Sequence, residues 1–106
     1  MDINTVCLSG HLYNIRSYQT NSMYPKVEAR ISVNNGKDVD GQTIYADFYV
    51  QSFGKKNTKI LSLAEGTFVT IQGRLRKLEK DITERSAQGK VFIVVDTLKA
   101  HDMKED

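Results

Sequence analysis

The segment Ile44-Tyr45-Ala46-Asp47-Phe48-Tyr49-Val50-Gln51-Ser52-Phe53-Gly54-Lys55 alternates apolar and polar residues with a period of two. In an extended chain successive side chains point to opposite faces, so Ile44, Ala46, Phe48 and Val50 share one face. Tyr45, Asp47, Tyr49 and Gln51 share the other, and Phe53 follows in the same parity. The first face suits a core. The second carries aromatic rings into water, where they gain little from folding. Such rings suit a surface on which flat partners, nucleobases among them, can stack. Tyrosine is also a good strand former in its own right, so this face alone does not separate the two readings.

Around this strand the chain reads as a small all-β unit. Thr5 to Leu12 is a first strand, with Val6 and Leu8 alternating against Cys7 and Ser9 before Gly10, a residue that marks a bend or bulge. Asn14 to Pro25 is polar and turn-rich and holds Tyr13, at its border, with Arg16, Tyr18 and Tyr24. Val27 to Val33 is a second strand, Val27, Ala29, Ile31 and Val33 inward, Glu28, Arg30 and Ser32 outward. Asn34 to Gly41 is a turn cluster that joins strands two and three as a hairpin. Asn57 or Thr58 can cap a short helix ending near Glu65, with Gly66 as its stop. Ile60, Leu61, Leu63 and Ala64 give that helix an apolar side. Phe68 to Leu75 is strand four, Arg76 to Lys90 a charged arm with its tip at Ser86-Ala87-Gln88-Gly89, and Val91 to Leu98 strand five. His101 to Asp106 is a polar tail, so residues 1–100 form the domain and 101–106 follow it.

Three strands, a helix and two strands make the order of the five-stranded Greek-key oligonucleotide/oligosaccharide-binding (OB) barrel, with its helix between strands three and four. That fold binds its ligands on strands two and three and the neighbouring loops. The outward aromatics and the densest charge of this chain fall there.

The order of motifs also resembles the bacterial and phage single-stranded DNA-binding protein family. Asn4-Thr5-Val6-Cys7-Leu8-Ser9-Gly10-His11-Leu12 is similar to that family's first strand. Val27 to Asn34 resembles its second, and Asp47-Phe48 with Phe53-Gly54-Lys55 its third. Leu63 to Leu75 resembles its helix end and fourth strand. Three departures stand out. The chain has no tryptophan. The Phe48 to Phe53 spacing is one residue short of the family's, which leaves Phe48 as a stacking or a core residue, with alternation favouring the core. The sequence ends at Lys104-Glu105-Asp106 without the acidic, apolar tip through which the family recruits repair and replication partners, so tail-mediated recruitment is not expected.

The resemblance implies sequence-independent coating of single-stranded DNA in replication, recombination, repair or phage and mobile-element processing, by a homotetramer or else a dimer. The residues expected to carry binding are the aromatics Tyr45, Tyr49 and Phe53, with Phe48 open as above, and the cations Arg30, Lys55, Lys56, Arg74, Arg76 and Lys77. Strand one, with uncharged Cys7 and Ser9 on its outer side, is expected to offer an open edge for assembly. The rival reading is a primosome-type adaptor barrel that works mainly through protein contacts.

Bulk properties set the outer limits. One hundred and six residues with 26% charged and 40% hydrophobic side chains suit one globular domain. A net charge of +2 permits an acidic partner without demanding one. A single cysteine excludes an internal disulfide and fits a reducing compartment. No apolar run is long enough to span a membrane and Met1 to Thr5 lacks signal-peptide character, so a cytoplasmic place is expected. An enzyme is not expected: His11 and His101 are isolated, no His or Cys pair has metal-ligand spacing, and no nucleophile with its base is visible. No cofactor is expected either. Asp38 and Asp40 sit where carboxylates bond their own turn.

Overall fold

The computed structural model describes residues 2–19, 23–77 and 91–101. Five strands, β1 (Val6–Tyr18), β2 (Lys26–Lys37), β3 (Thr43–Ser52), β4 (Thr67–Lys77) and β5 (Val91–Ala100), surround one short helix, α1 (Asn57–Leu61). They close into a barrel in the order β1-β2-β3-β5-β4. All neighbours are antiparallel except β3 and β5, which run parallel. This is the OB fold that the order of elements predicts. Leu12, Val27, Ala29, Ile31, Val50, Val69, Ile71, Ile93 and Val95 fill it, joined by Ile60 of α1. Val27, Ala29 and Ile31 of β2 and Val69 and Ile71 of β4 are the expected inward residues among them, with Val33 partly buried against them, because one periodic face per strand is what a closed barrel buries.

Several expected boundaries move. β1 does not end at Leu12 but runs on to Tyr18, through a shift of register between Tyr13 and Arg16. Asn14 sits at φ 55° in that bulge, a left-handed backbone that asparagine tolerates. The Glu65 carboxylate takes the place of ladder acceptors there, accepting the N–H of Asn14 at 2.7 Å and of Ile15 at 3.1 Å. A polar, turn-rich composition therefore extends a strand, since a side chain from a distant loop satisfies its backbone. β2 likewise reaches Lys37, and the turn contracts to its tip. There Asp38 Oδ1 accepts the N–H groups of Asp40 and Gln42, each at 2.9 Å, the local bonding expected of this carboxylate.

The helix stops at Leu61, well short of Glu65, and Asn57 is not its cap. Asn57 is fully buried, and its amide donates to the carbonyls of Pro25 and of Ser52, the latter at 3.1 Å. It pins α1 to the barrel floor. Gly66 is no helix stop either; at φ 84° it turns the chain into β4, its N–H donating to Leu12 O at 2.7 Å.

Three residues of β3 keep their expected face but not the burial expected of it. Phe48 and Ile44 keep the inward parity, Phe48 opposite Ile31, yet they are 40% and 42% exposed. β5 pairs with β3 only over Tyr49 to Gln51, so from Phe48 back toward Thr43 the β2–β3 ladder projects past the closed part of the barrel. Gln51, outward by parity, is buried instead, beside Val94 of β5. The expected open edge of β1 is closed on both sides only at His11 and Leu12. β4 covers Val6–Leu12 and β2 covers His11–Tyr18, which leaves Val6–Gly10 with one strand partner among the described residues. The expected arm tip, Ser86 to Gly89, lies outside the described residues.

Candidate nucleic-acid interface

Opposed residues of a ladder share a face, so the registers can be followed from strand to strand. Tyr13 of β1 lies opposite Arg30 of β2, and Arg30 opposite Tyr49 of β3. Tyr49 lies beside Phe92 of β5, and Phe92 opposite Arg76 of β4. One outward row, Tyr13-Arg30-Tyr49-Phe92-Arg76, thus crosses all five strands. Rings and guanidinium groups interleave along it. Phe92 is buried, and its ring supports that of Tyr49 with centroids 5.9 Å apart and planes at 51°. Tyr49 itself is 43% exposed, as is Tyr13 at 42%.

The next outward row is Glu28, Gln51, Val94 and Arg74. Gln51 Nε2 donates to Glu28 at 3.4 Å, and Lys26 Nζ lies 3.6 Å from the same carboxylate. Glu28 is therefore partly offset, which limits its repulsion of an anion. Tyr45, the most exposed ring of β3, lies four residues from Tyr49 on the same face, roughly 13 Å along the strand. Phe53, half-exposed, follows just past the other end of β3. Lys55 is exposed beside it, while Lys56 Nζ donates to Phe53 O at 2.7 Å and so fixes the turn below that ring.

Of the residues singled out in the sequence, Arg30, Tyr45, Tyr49, Arg74 and Arg76 come together on one outer face. Phe53, Lys55 and Lys56 stand at its end. Lys77 pairs with Val91 and takes the opposite parity from Arg76, and Phe48 shares the face of Ile31. Asp47 is on this outer face as well, with its Oδ2 3.7 Å from Arg30 Nη1. Phe92 and Tyr13 escaped sequence reasoning for different reasons. Phe92 lies within the unbroken apolar run Val91 to Val95, which has no alternation to mark a face, and Tyr13 borders a stretch that reads as a loop.

The two histidines are not isolated, and His11 lies two residues from Tyr13 on the outward face of β1, opposite Ser32. His11 and His101 flank the ring of Phe68, at centroid distances of 5.1 and 5.3 Å. His101 Nε2 and Ser9 Oγ each lie 2.7 Å from Thr70 Oγ1. Among the described residues, no group of three or more His, Cys, Asp or Glu side chains could hold a metal ion. No helix among them is long and apolar enough to cross a membrane.

No protein-family model and no curated protein matches the chain. Solved structures do. The small single-stranded DNA-binding protein from Streptomyces coelicolor matches with a TM-score of 0.70 and 22% identity, over 97% of this chain and 96% of that one. The protein PriB from Ralstonia solanacearum matches with a TM-score of 0.71 and 17% identity, over 94% and 100%. A deletion mutant of the single-stranded DNA-binding protein from Thermus aquaticus matches with a TM-score of 0.69 and 20% identity, over 96% of this chain and 52% of that one. At these identities the likeness is one of fold. The OB barrel of this chain is similar in fold to those proteins.

Proposed function

We propose that this chain binds single-stranded DNA without regard to sequence, stacking bases on Tyr45, Tyr49 and Phe53 and neutralising phosphates with Arg74, Arg76, Lys55 and Lys56. The observation that carries this reading is the outward row across the barrel in which the exposed rings of Tyr13 and Tyr49, the latter backed by buried Phe92, interleave with the guanidinium groups of Arg30 and Arg76. Every base has a π-face, so such a surface tolerates any sequence. The solved single-stranded DNA-binding proteins that share the fold support it. Phe48, at the projecting end of the ladder, and Lys77, on the opposite face of β4, are in place for a strand that wraps over the barrel end. The binding unit is not an enzyme in this reading. It works as a homo-oligomer, a tetramer or a dimer, and the singly paired Val6–Gly10 stretch supports assembly. Light scattering that found only monomer at working concentration would remove that part.

Affinity for an oligothymidine strand should exceed that for a matched duplex by orders of magnitude; equal affinities would favour the adaptor reading instead. The two energy terms separate by mutation. Tyr49→Ala is expected to cost about 1–3 kcal/mol per stacked base, nearly independent of salt because a neutral ring releases no counterion. Arg76→Ala is expected to weaken binding most at low salt. It should also flatten log affinity against log salt by about 0.7 for each phosphate that is no longer neutralised. With no tryptophan in the chain, quenching of tyrosine fluorescence by stacked bases reads both.

A further inference from the structure

Arg30 stands between the exposed rings of Tyr13 and Tyr49, and its guanidinium is already engaged along its edges. The Asn14 amide, with its oxygen turned to the guanidinium, accepts from Nε at 3.0 Å and from Nη2 at 2.8 Å. Asp47 Oδ2 lies 3.7 Å from Nη1. The Nε–Nη2 edge is one of the forks with which arginine grips a phosphate at two points, and here a neutral amide fills it. At the remaining edge the Asp47 carboxylate repels an incoming anion. The amide is itself held in place. Asn14 is fixed at φ 55°, with its N–H on Glu65 Oε2 at 2.7 Å. A loop carboxylate thus sets the bulge, the bulge sets the amide, and the amide sets the plane of Arg30.

We infer that Arg30 is a base-stacking plate and not a phosphate clamp, with Asn14 as its positioning residue. The inference rests on the binding reading above and assigns a role within it. A guanidinium is planar and weakly hydrated, stacks on aromatic faces, and takes unpaired bases on its plane. Here 44% of the side chain remains exposed, and its charge is balanced by Asp47. The ligand of this position is the heterocycle of an unpaired base, placed between Tyr13 and Tyr49 in a continuous stacking track. A cation already balanced by a carboxylate displaces few counterions, so its contribution should be insensitive to salt.

The test is equilibrium binding of one oligothymidine across a salt series, with melting temperatures confirming that each variant folds. Arg30→Lys keeps the charge and loses the plane. It should weaken binding by about ten-fold at every salt concentration. The double variant Arg30→Phe/Asp47→Asn keeps the net charge and puts a neutral ring in the same place. It should stay within about three-fold of the parent, with the same salt slope. Asn14→Gly retains a residue that accepts positive φ and removes only the amide; it should weaken binding. The opposite pattern overturns the inference: Arg30→Lys near the parent, the double variant weaker with its slope flattened by about 0.7, and Asn14→Gly tighter because a phosphate fork has been freed. That pattern would leave single-strand binding intact. A parent chain without affinity for oligothymidine would overturn the binding reading and this assignment together.

Discussion

Gly73→Ala is expected to lower the unfolding free energy by about 3 kcal/mol or more, at or above the usual upper end for overpacking. A Cβ at this position would lie 2.0 Å from the carbonyl oxygen of Val94 and 2.9 Å from its carbonyl carbon. Both atoms are backbone, so no rotamer change relieves the clash. Nor can the strand step aside. Gly73 pairs with Val6 on one side and Val95 on the other, where the β4–β5 register shifts between Gln72 and Gly73. One added methyl group must therefore displace a ladder at the point where the barrel bends. A small domain has only about 5–15 kcal/mol of net stability, so the loss is a large share of the total. Urea denaturation measures it, with exposed Gln72→Ala as the neighbour that should change stability by no more than about 0.5 kcal/mol. A midpoint for Gly73→Ala equal to the parent's would contradict the close approach of β4 to β5.

The second large effect separates two residues that the ladder places opposite each other. Ile31 and Phe48 share the inward face, but Ile31 is fully buried and Phe48 is 40% exposed. Ile31→Ala is expected to cost about 2–5 kcal/mol, the range for opening a cavity in a packed core. Phe48→Ala should cost less, about 1–2 kcal/mol, because much of its ring already meets water in the folded state. The order reverses the intuition that the larger aromatic matters more. Phe48→Ala therefore remains folded and can be assayed for binding, where it should weaken oligothymidine less than Tyr49→Ala does. A loss of stability at Phe48 equal to that at Ile31 would return it to the core.

The pattern of residues in the sequence was enough for the existence and order of the strands and for the parity of their side chains. A period of two on Val27 to Val33 and on Val69 to Ile71 states which side chains go inward, because a barrel strand has one buried face and pleating fixes the alternation. It was also enough for the outward course of Tyr45 and Tyr49, and for the order of elements that defines the OB barrel. Gly10 was legible as a bend or bulge, and in the structure Gly10 and Gly73 are each where a backbone carbonyl from a neighbouring strand leaves no room for a Cβ.

What the tertiary structure alone decided is everything that depends on a partner far along the chain. Asn14 belongs to a strand because Glu65, 51 residues away, satisfies its N–H. Asn57 is a buried tie to Pro25 and Ser52, although its composition and place suggest a helix cap. Phe48 has the parity of a core residue and the exposure of a surface one, since β5 covers only one end of β3. Above all, the row from Tyr13 to Arg76 exists only when five strands are in register. Local periodicity fixes the face a side chain takes, whereas its neighbours on that face are set by pairing between strands, which no local pattern encodes.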